Sequence, residues 1–250
     1  MELSRGFRRI LDSVALDVFR GEFLTIVGGS GTGKTSLLRL LGGLTPASAG
    51  DIRFRGRPVN GPPEGVVVVF QDYSRALLQW RTVAANVALG LEGRLGTAAL
   101  KERVERALEM VGLQHCAGDQ PWQLSGGMQQ RVQIARALIN EPDILLMDEP
   151  FGALDYQTRL LMQKLLLRLW AHFRPTILFI THDVGEAIFI SDRVIAMTRR
   201  PGRVKVAVEV HAPKPRDYEF IGSPEFTRLE HELLLAVQSE VEGREAEAAH

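Results

Sequence analysis

The chain has 250 residues, 45% of them apolar, with 30 basic and 30 acidic side chains and a formal net charge of +0. This length and apolar content support one large α/β domain with a sizeable core, and the balanced charge argues against a dominant basic face, so no nucleic-acid partner is expected. The lone cysteine, Cys116, excludes an internal disulfide, no apolar run reaches the roughly 18–20 residues of a membrane helix, and the N-terminus (MELSRGFRRILDSV) carries no secretory signal, which together predict a soluble protein of a reducing compartment.

Short β-branched runs alternate with helical patterns, the mark of a mainly parallel sheet covered by helices. Phe23–Val27 (FLTIV) reads as a buried strand, and Lys34–Leu41 as the helix that follows. Between them, Gly28–Thr35 (GGSGTGKT) matches G-x-x-x-x-G-K-[ST] with a strand before it and a helix after it. Gly28, Gly31 and Gly33 allow the backbone to turn its N–H groups inward, where the helix N-terminus adds positive dipole. Lys34 would set its ammonium on the β- and γ-phosphates of a nucleotide, and the Thr35 hydroxyl would ligate Mg²⁺. The predicted nucleotide cradle is therefore Gly28, Gly29, Ser30, Gly31, Thr32, Gly33, Lys34, Thr35 and Ser36.

Val66–Phe70 reads as a second buried strand, ending at Gln71. Residues 76–134 lack strand runs and read as an inserted helical subdomain with a helix over Thr97–Val111. Inside it, Leu124–Arg131 (LSGGMQQR) opens a helix running through Ile139. Ser125 and the bare amides of Gly126 and Gly127 make a second anion site at that helix start. One nucleotide in one chain seldom needs two such surfaces; two copies arranged head to tail would use both.

Ile144–Met147 reads as a third strand and runs into Asp148 and Glu149 (ILLMDEP). Ligands bind at the carboxyl ends of parallel strands, so Asp148 is placed to hold Mg²⁺ and Glu149 to polarise a water for attack on the γ-phosphate. Thr176–Ile180 and Arg193–Met197 are a fourth and fifth strand, and residues 201–218 a proline-bearing connector with edge strands. Phe226, Leu229, Leu233, Val237 and Val241 recur at helical spacing and predict an amphipathic helix followed by a polar tail. This divides the chain into a catalytic domain over 1–218 and a C-terminal helix and tail over 219–250.

In combination, and in this order, the motifs resemble the ATP-binding cassette (ABC) family over about residues 7–205: LSGGMQQR is similar to its signature, Gln71 to its Q-loop glutamine, Asp155 in FGALD to its D-loop and His182 in ITHD to its switch histidine. The resemblance implies an α/β P-loop NTPase with a mainly parallel sheet core, an N-terminal antiparallel β portion and an inserted helical subdomain. It implies ATP and Mg²⁺ as ligands. Phe7 would stack on adenine, and Gln71 would sense the γ-phosphate and Mg²⁺. Ser125, Gly126 and Gly127 would reach the nucleotide across a homodimer, Asp155 would link the two sites, and His182 would orient the attack. The implied catalytic set is Glu149, His182, Gln71 and Lys34, and the implied metal set Thr35, Gln71 and Asp148.

Val69–Leu91 (VFQDYSRALLQWRTVAANVALGL) and Thr181–Val204 further resemble the importer ATPases of the nitrate, sulfonate, taurine and bicarbonate group, with Gln79 where that group has proline. Membership would mean transmembrane permease subunits docking at an apolar patch near Leu77–Trp80, an extracytoplasmic substrate-binding protein acting indirectly, and a peripheral position on the cytoplasmic face of the inner membrane. The alternative is a soluble ABC ATPase of DNA repair or translation, types that carry long coiled coils or a second cassette, neither of which this chain contains.

Overall fold

The computed structural model describes residues 9–71, 76–198 and 201–247, with side chains described as far as 237 in the last helix. Phe7 lies outside the described residues, as does the side chain of Val241. Eight strands are described: β1 (Phe23–Val27), β2 (Arg53–Phe54), β3 (Arg57–Pro58), β4 (Val66–Val69), β5 (Ile144–Asp148), β6 (Thr176–Thr181), β7 (Arg193–Met197) and β8 (Val204–Glu209). The helices taken up below are α1 (Lys34–Leu41), α2 (Val83–Ala88), α3 (Thr97–Met110), α4 (Gly126–Leu138), α5 (Tyr156–Phe173), α6 (Val184–Ile190), α7 (Tyr218–Ile221) and α8 (Pro224–Glu247).

Six strands form one sheet in the order β4-β5-β6-β1-β7-β8. All neighbours pair in parallel except β7 and β8, which are antiparallel. β1 and β6 are buried at every position. They are apolar without alternation because both faces of a parallel sheet are covered. Leu24 and Ile26 of β1 pack with Leu37 and Leu38 of α1, whereas Phe23 faces the large cluster built with α4 and α5. β8 at the edge alternates instead: Val204, Val206 and Val208 turn inward, and Lys205, Ala207 and Glu209 outward.

The antiparallel portion outside this sheet is a short hairpin, β2 with β3, after α1 rather than at the N-terminus. Val14, Leu16 and Val18 alternate with exposed Ala15 and Asp17 as a strand would, but no ladder forms there among the described residues. Three strand ends differ from expectation by one residue: β4 stops at Val69, β5 continues through Asp148, which still pairs with Ile180, and β6 continues through Thr181, which pairs with Val27. Helices α2, α3 and α4 occupy the stretch between β4 and β5 that lacks strand runs.

α8 lays Phe226, Leu229 and Leu233 against α6 and the β7–β8 edge. Beside it, the side chain of Lys214 is buried. Its ammonium pairs with Asp192 at 2.8 Å and sits 3.8 Å from the Trp170 ring and 5.1 Å from the Phe23 ring. Arg216 caps the end of α6, donating to the carbonyls of Ile188, Phe189 and Ser191. Burial holds Lys214 down to about 8 from an ordinary value of 10.5, against the pull of Asp192.

Below pH 8 the folded chain therefore carries a desolvated ammonium. Between about 8 and 10.5 the folded state releases that proton while the unfolded state keeps it, so this group makes stability rise with pH. Wild-type unfolding free energy should gain up to about 3 kcal/mol over that window relative to Lys214→Met, measured by urea titration at each pH. Parallel pH curves for the two proteins would refute it.

Candidate active site

The sheet register assembles the site. Val27 pairs with Thr181, Asp148 with Ile180 and Val69 with Met147, so β1, β4, β5 and β6 end at one level. Gly28, Glu149 and His182 directly follow the ends of β1, β5 and β6, and Gln71 follows β4 after Phe70. Four motifs dispersed along the chain thus meet at the carboxyl edge of one sheet.

The glycine-rich loop turns through left-handed backbone at Gly31 (φ 82°) and Gly33 (φ 95°). Gly33 is the N-cap of α1, and a Cβ there would lie 2.7 Å from Leu11 Cδ2. With no side-chain cap and no acid in the first turn of α1, its leading N–H groups are left for an anion. Lys34 is buried and donates to the carbonyls of Gly28 (2.7 Å) and Gly29 (3.1 Å). Desolvation lowers its pKa, with Glu149 and Asp148 opposing. The Thr32 hydroxyl is buried without a hydrogen-bond partner, a spare polar group within the cradle.

Thr35 Oγ1 donates to Asp148 Oδ1 at 3.3 Å. Burial raises the Asp148 pKa, while the Thr35 hydrogen bond and Lys34 act against it. One hydroxyl beside one carboxylate fits Mg²⁺, which keeps phosphate and water ligands rather than a full protein cage.

Glu149 adopts left-handed backbone at φ 41°, uncommon for a non-glycine residue, and its N–H donates to Ile180 O at 2.9 Å. Its carboxylate Oε2 lies 2.9 Å from His182 Nδ1. A Cβ built on Gly152 would fall 3.7 Å from Glu149 Oε2 and 3.9 Å from Gln71 Nε2, so the Gln71 amide shares this corner. A carboxylate held by an imidazole, next to a phosphate cradle, is equipped to orient and deprotonate a water.

Ser125 and Asp155 cap helices. Ser125 Oγ accepts from Met128 N at the start of α4, and Asp155 Oδ1 accepts from Thr158 N at the start of α5. Hydrogen bonds from Thr158 hold the Asp155 carboxyl below its usual range. The one Ser125 cap leaves the other leading amides of α4, those of Gly126 and Gly127 among them, without intrahelical acceptors.

Several supporting residues were not singled out by sequence reasoning. Gln133 of α4 donates to Phe70 O at 3.2 Å and Arg136 to Ala76 O at 2.7 Å, so α4 grips the chain on both sides of Gln71. Buried Asn86 donates to Leu78 O, Arg81 O and Thr82 O and accepts from Leu78 N, fixing the loop that carries Trp80. Gly202 packs on the cradle so closely that a Cβ would fall 2.0 Å from Thr32 O. The Pro201-Gly202 turn was its one visible signal. The expected apolar patch is also split: Leu77 is 2% exposed and belongs to the core, whereas Trp80 is 77% exposed.

The family model described as ABC transporter matches residues 11–152. The chain is 44% identical over 247 residues to the aliphatic sulfonates import ATP-binding protein SsuB 2 of Rhizobium johnstonii, covering 98% of this chain and 92% of that protein. It is 41% identical over 235 residues to the nitrate import ATP-binding protein NrtD of Synechococcus elongatus, covering 92% and 85%. Among solved structures, a bacterial ABC transporter cassette in dimeric form superposes with TM-score 0.70 at 31% identity, over 82% of this chain and 92% of that one. A post-hydrolysis dimer of the same cassette, bound to ADP and Pi, gives 0.69 over the same coverage.

Proposed function

The chain belongs to the ABC transporter ATP-binding family, and from that membership we propose that it is the ATPase subunit of an importer, working as a homodimer against transmembrane permease subunits at the cytoplasmic face of the membrane. The observation that carries this reading is the Glu149–His182 pair, 2.9 Å apart, beside the Thr35–Asp148 pair at 3.3 Å, at the edge of one sheet. In this reading Gly28–Ser36 cradle the phosphates and Lys34 neutralises the β- and γ-phosphate charge. Thr35 and Asp148, with Gln71, hold Mg²⁺, which would screen phosphate charge when bound. Glu149 takes the proton of the attacking water, and His182 keeps the carboxylate aimed.

The homodimer is supported by the second helix start at Ser125–Gly127, whose free amides suit the γ-phosphate of the facing subunit, and by the dimeric form of the similar cassette. Asp155 stands at the α5 start as the link between the two sites. No helix of the described residues is long and apolar enough to cross a membrane; in this reading the translocation path belongs to the permease subunits. The surface offered to them is the loop pinned by Asn86, where Trp80 is 77% exposed, with Trp122 at 68% exposure nearby: Val83 N donates to Asp119 O across that surface. The nitrate and aliphatic sulfonate import for which two relatives are named supports a small anionic cargo, delivered in this reading by an extracytoplasmic substrate-binding protein. The catalytic domain is assigned to residues 1–218, with α8 and the tail as an appended element.

Affinity purification from native membranes in mild detergent, followed by mass spectrometry, tests the proposal. The chain should recover a multi-span membrane protein, and Trp80→Ala should cut that recovery at least about fivefold while leaving ATP hydrolysis by the isolated subunit intact, since a buried interface tryptophan typically contributes 2 kcal/mol or more. Recovery of nucleic-acid proteins or ribosomes alone would overturn the transport role and leave the ATPase chemistry standing.

A further inference from the structure

The first turn of α5 touches three of the loops that make up the site. Asp155 caps it through Thr158 N at 3.0 Å. Thr158 stands against the second anion motif: a Cβ on Gly127 would fall 2.8 Å from Thr158 Cγ2. Arg159, one turn along, donates Nη1 to Asp183 Oδ2 at 3.2 Å and Nη2 to Leu154 O at 3.1 Å. Asp183 follows His182 directly, and Leu154 precedes Asp155. One guanidinium therefore joins the peptide before the Asp155 cap to the residue after the catalytic imidazole.

Further polar contacts of α6 back this joint. Asp183 Oδ1 caps α6 by accepting from Glu186 N at 2.9 Å. Glu186, 6% exposed, accepts from Gln163 Nε2 of α5 at 3.0 Å, one turn beyond Arg159. Two links, Arg159–Asp183 and Gln163–Glu186, thus run between α5 and α6 at successive turns, 24 and 23 residues apart in sequence. The Arg159 Nε atom is buried with no hydrogen-bond partner. A guanidinium seated with one donor unmatched is held by its neighbours' geometry rather than by full satisfaction, and a shift of the Asp155 loop would change which carbonyl or carboxylate it meets.

We infer that Arg159 is a positioning residue: it transmits the placement of the Asp155 loop to His182, and so couples engagement of a facing subunit to the aim of the Glu149–His182 pair. This rests on the roles given to Glu149, His182 and Asp155 above. The guanidinium is two-pronged, with one ionic contact to Asp183 and one hydrogen bond to Leu154 O, so the conservative Lys retains the charge and one contact but loses the fork.

The test is ATP turnover by the full chain as a double-mutant cycle, with ATP affinity and thermal melting measured on each variant. Arg159→Gln should lower kcat about tenfold or more with ATP affinity within about twofold of wild type, because misaiming a catalytic group by an ångström costs up to about 100-fold. Arg159→Lys should recover part of that loss. His182→Ala should lower kcat by itself, and adding Arg159→Gln to it should lower kcat no further. Full multiplication of the two effects would overturn the inference, since a merely structural Arg159 harms turnover whether or not His182 is present. Wild-type turnover in His182→Ala would instead overturn the site assignment itself, which keeps the two failures apart.

Discussion

Replacing Glu149 by Gln is expected to lower ATP turnover by about 100- to 10,000-fold, the usual range for loss of a general base, while leaving ATP bound. Gln keeps the shape of the side chain and a hydrogen-bond acceptor for His182, now 2.9 Å from Glu149 Oε2, but removes the group that takes the proton. The left-handed backbone at residue 149 is retained, since its N–H still reaches Ile180 O. None of the cradle from Gly28 to Ser36 is disturbed, so nucleotide binding persists. If each nucleotide is held between one subunit's cradle and the other's Ser125–Gly127, a variant that binds without hydrolysing accumulates as a dimer. Phosphate release and size-exclusion chromatography with ATP and Mg²⁺ measure both halves. Undiminished phosphate release would remove Glu149 from its role, and a variant that stays monomeric at saturating ATP would count against the dimeric arrangement.

Lys34→Met should produce opposite effects on binding and on stability. The ammonium is buried, and desolvation lowers its pKa even with Asp148 and Glu149 nearby. Its donors reach two backbone carbonyls, those of Gly28 and Gly29, at 2.7 and 3.1 Å. With a nucleotide bound, the same charge would meet phosphate oxygens, where a charge-assisted hydrogen bond contributes about 1.5–3 kcal/mol each. Loss of one to two such contacts weakens ATP affinity about 100-fold, equivalent to about 2.8 kcal/mol. Without nucleotide, an apolar side chain of similar length replaces a desolvated charge, so the melting temperature should hold or rise. Titration with a fluorescent ATP analogue and thermal melts, each with and without nucleotide, separate the two. Unchanged affinity would overturn the phosphate role, and a large loss of stability without nucleotide would mean that Lys34 is chiefly a structural tie of the loop.

What could be read in the sequence was local. The strand–loop–helix frame around GGSGTGKT needs only its own residues: an apolar run, glycines that tolerate positive φ, and a helix start, and β1 and α1 fall on the expected boundaries. The same is true of the Ser125 and Asp155 caps, whose partners lie three residues away. Strand ends were less well fixed, because whether Phe70 or Asp148 belongs to a ladder depends on the partner's length and not on either residue.

The sequence by itself determined the chemistry available: a phosphate cradle, an acidic pair, a histidine, a glutamine and a second anion-binding helix start, each written in a few contiguous residues. Only the tertiary structure decided how these meet. The order β4-β5-β6-β1 and its register bring Gln71, Glu149, His182 and Gly28 to one edge. Gln133 finds Phe70 across 63 residues, Asn86 pins a loop by four hydrogen bonds, and Arg159 finds Asp183 across 24 residues. The physical reason is that a motif's own backbone conformation is set by neighbours within a turn, whereas a contact between motifs depends on which strands pair, in which register, and on which face each crossover helix packs, and those choices minimise the exposed apolar surface of the whole chain rather than of any segment.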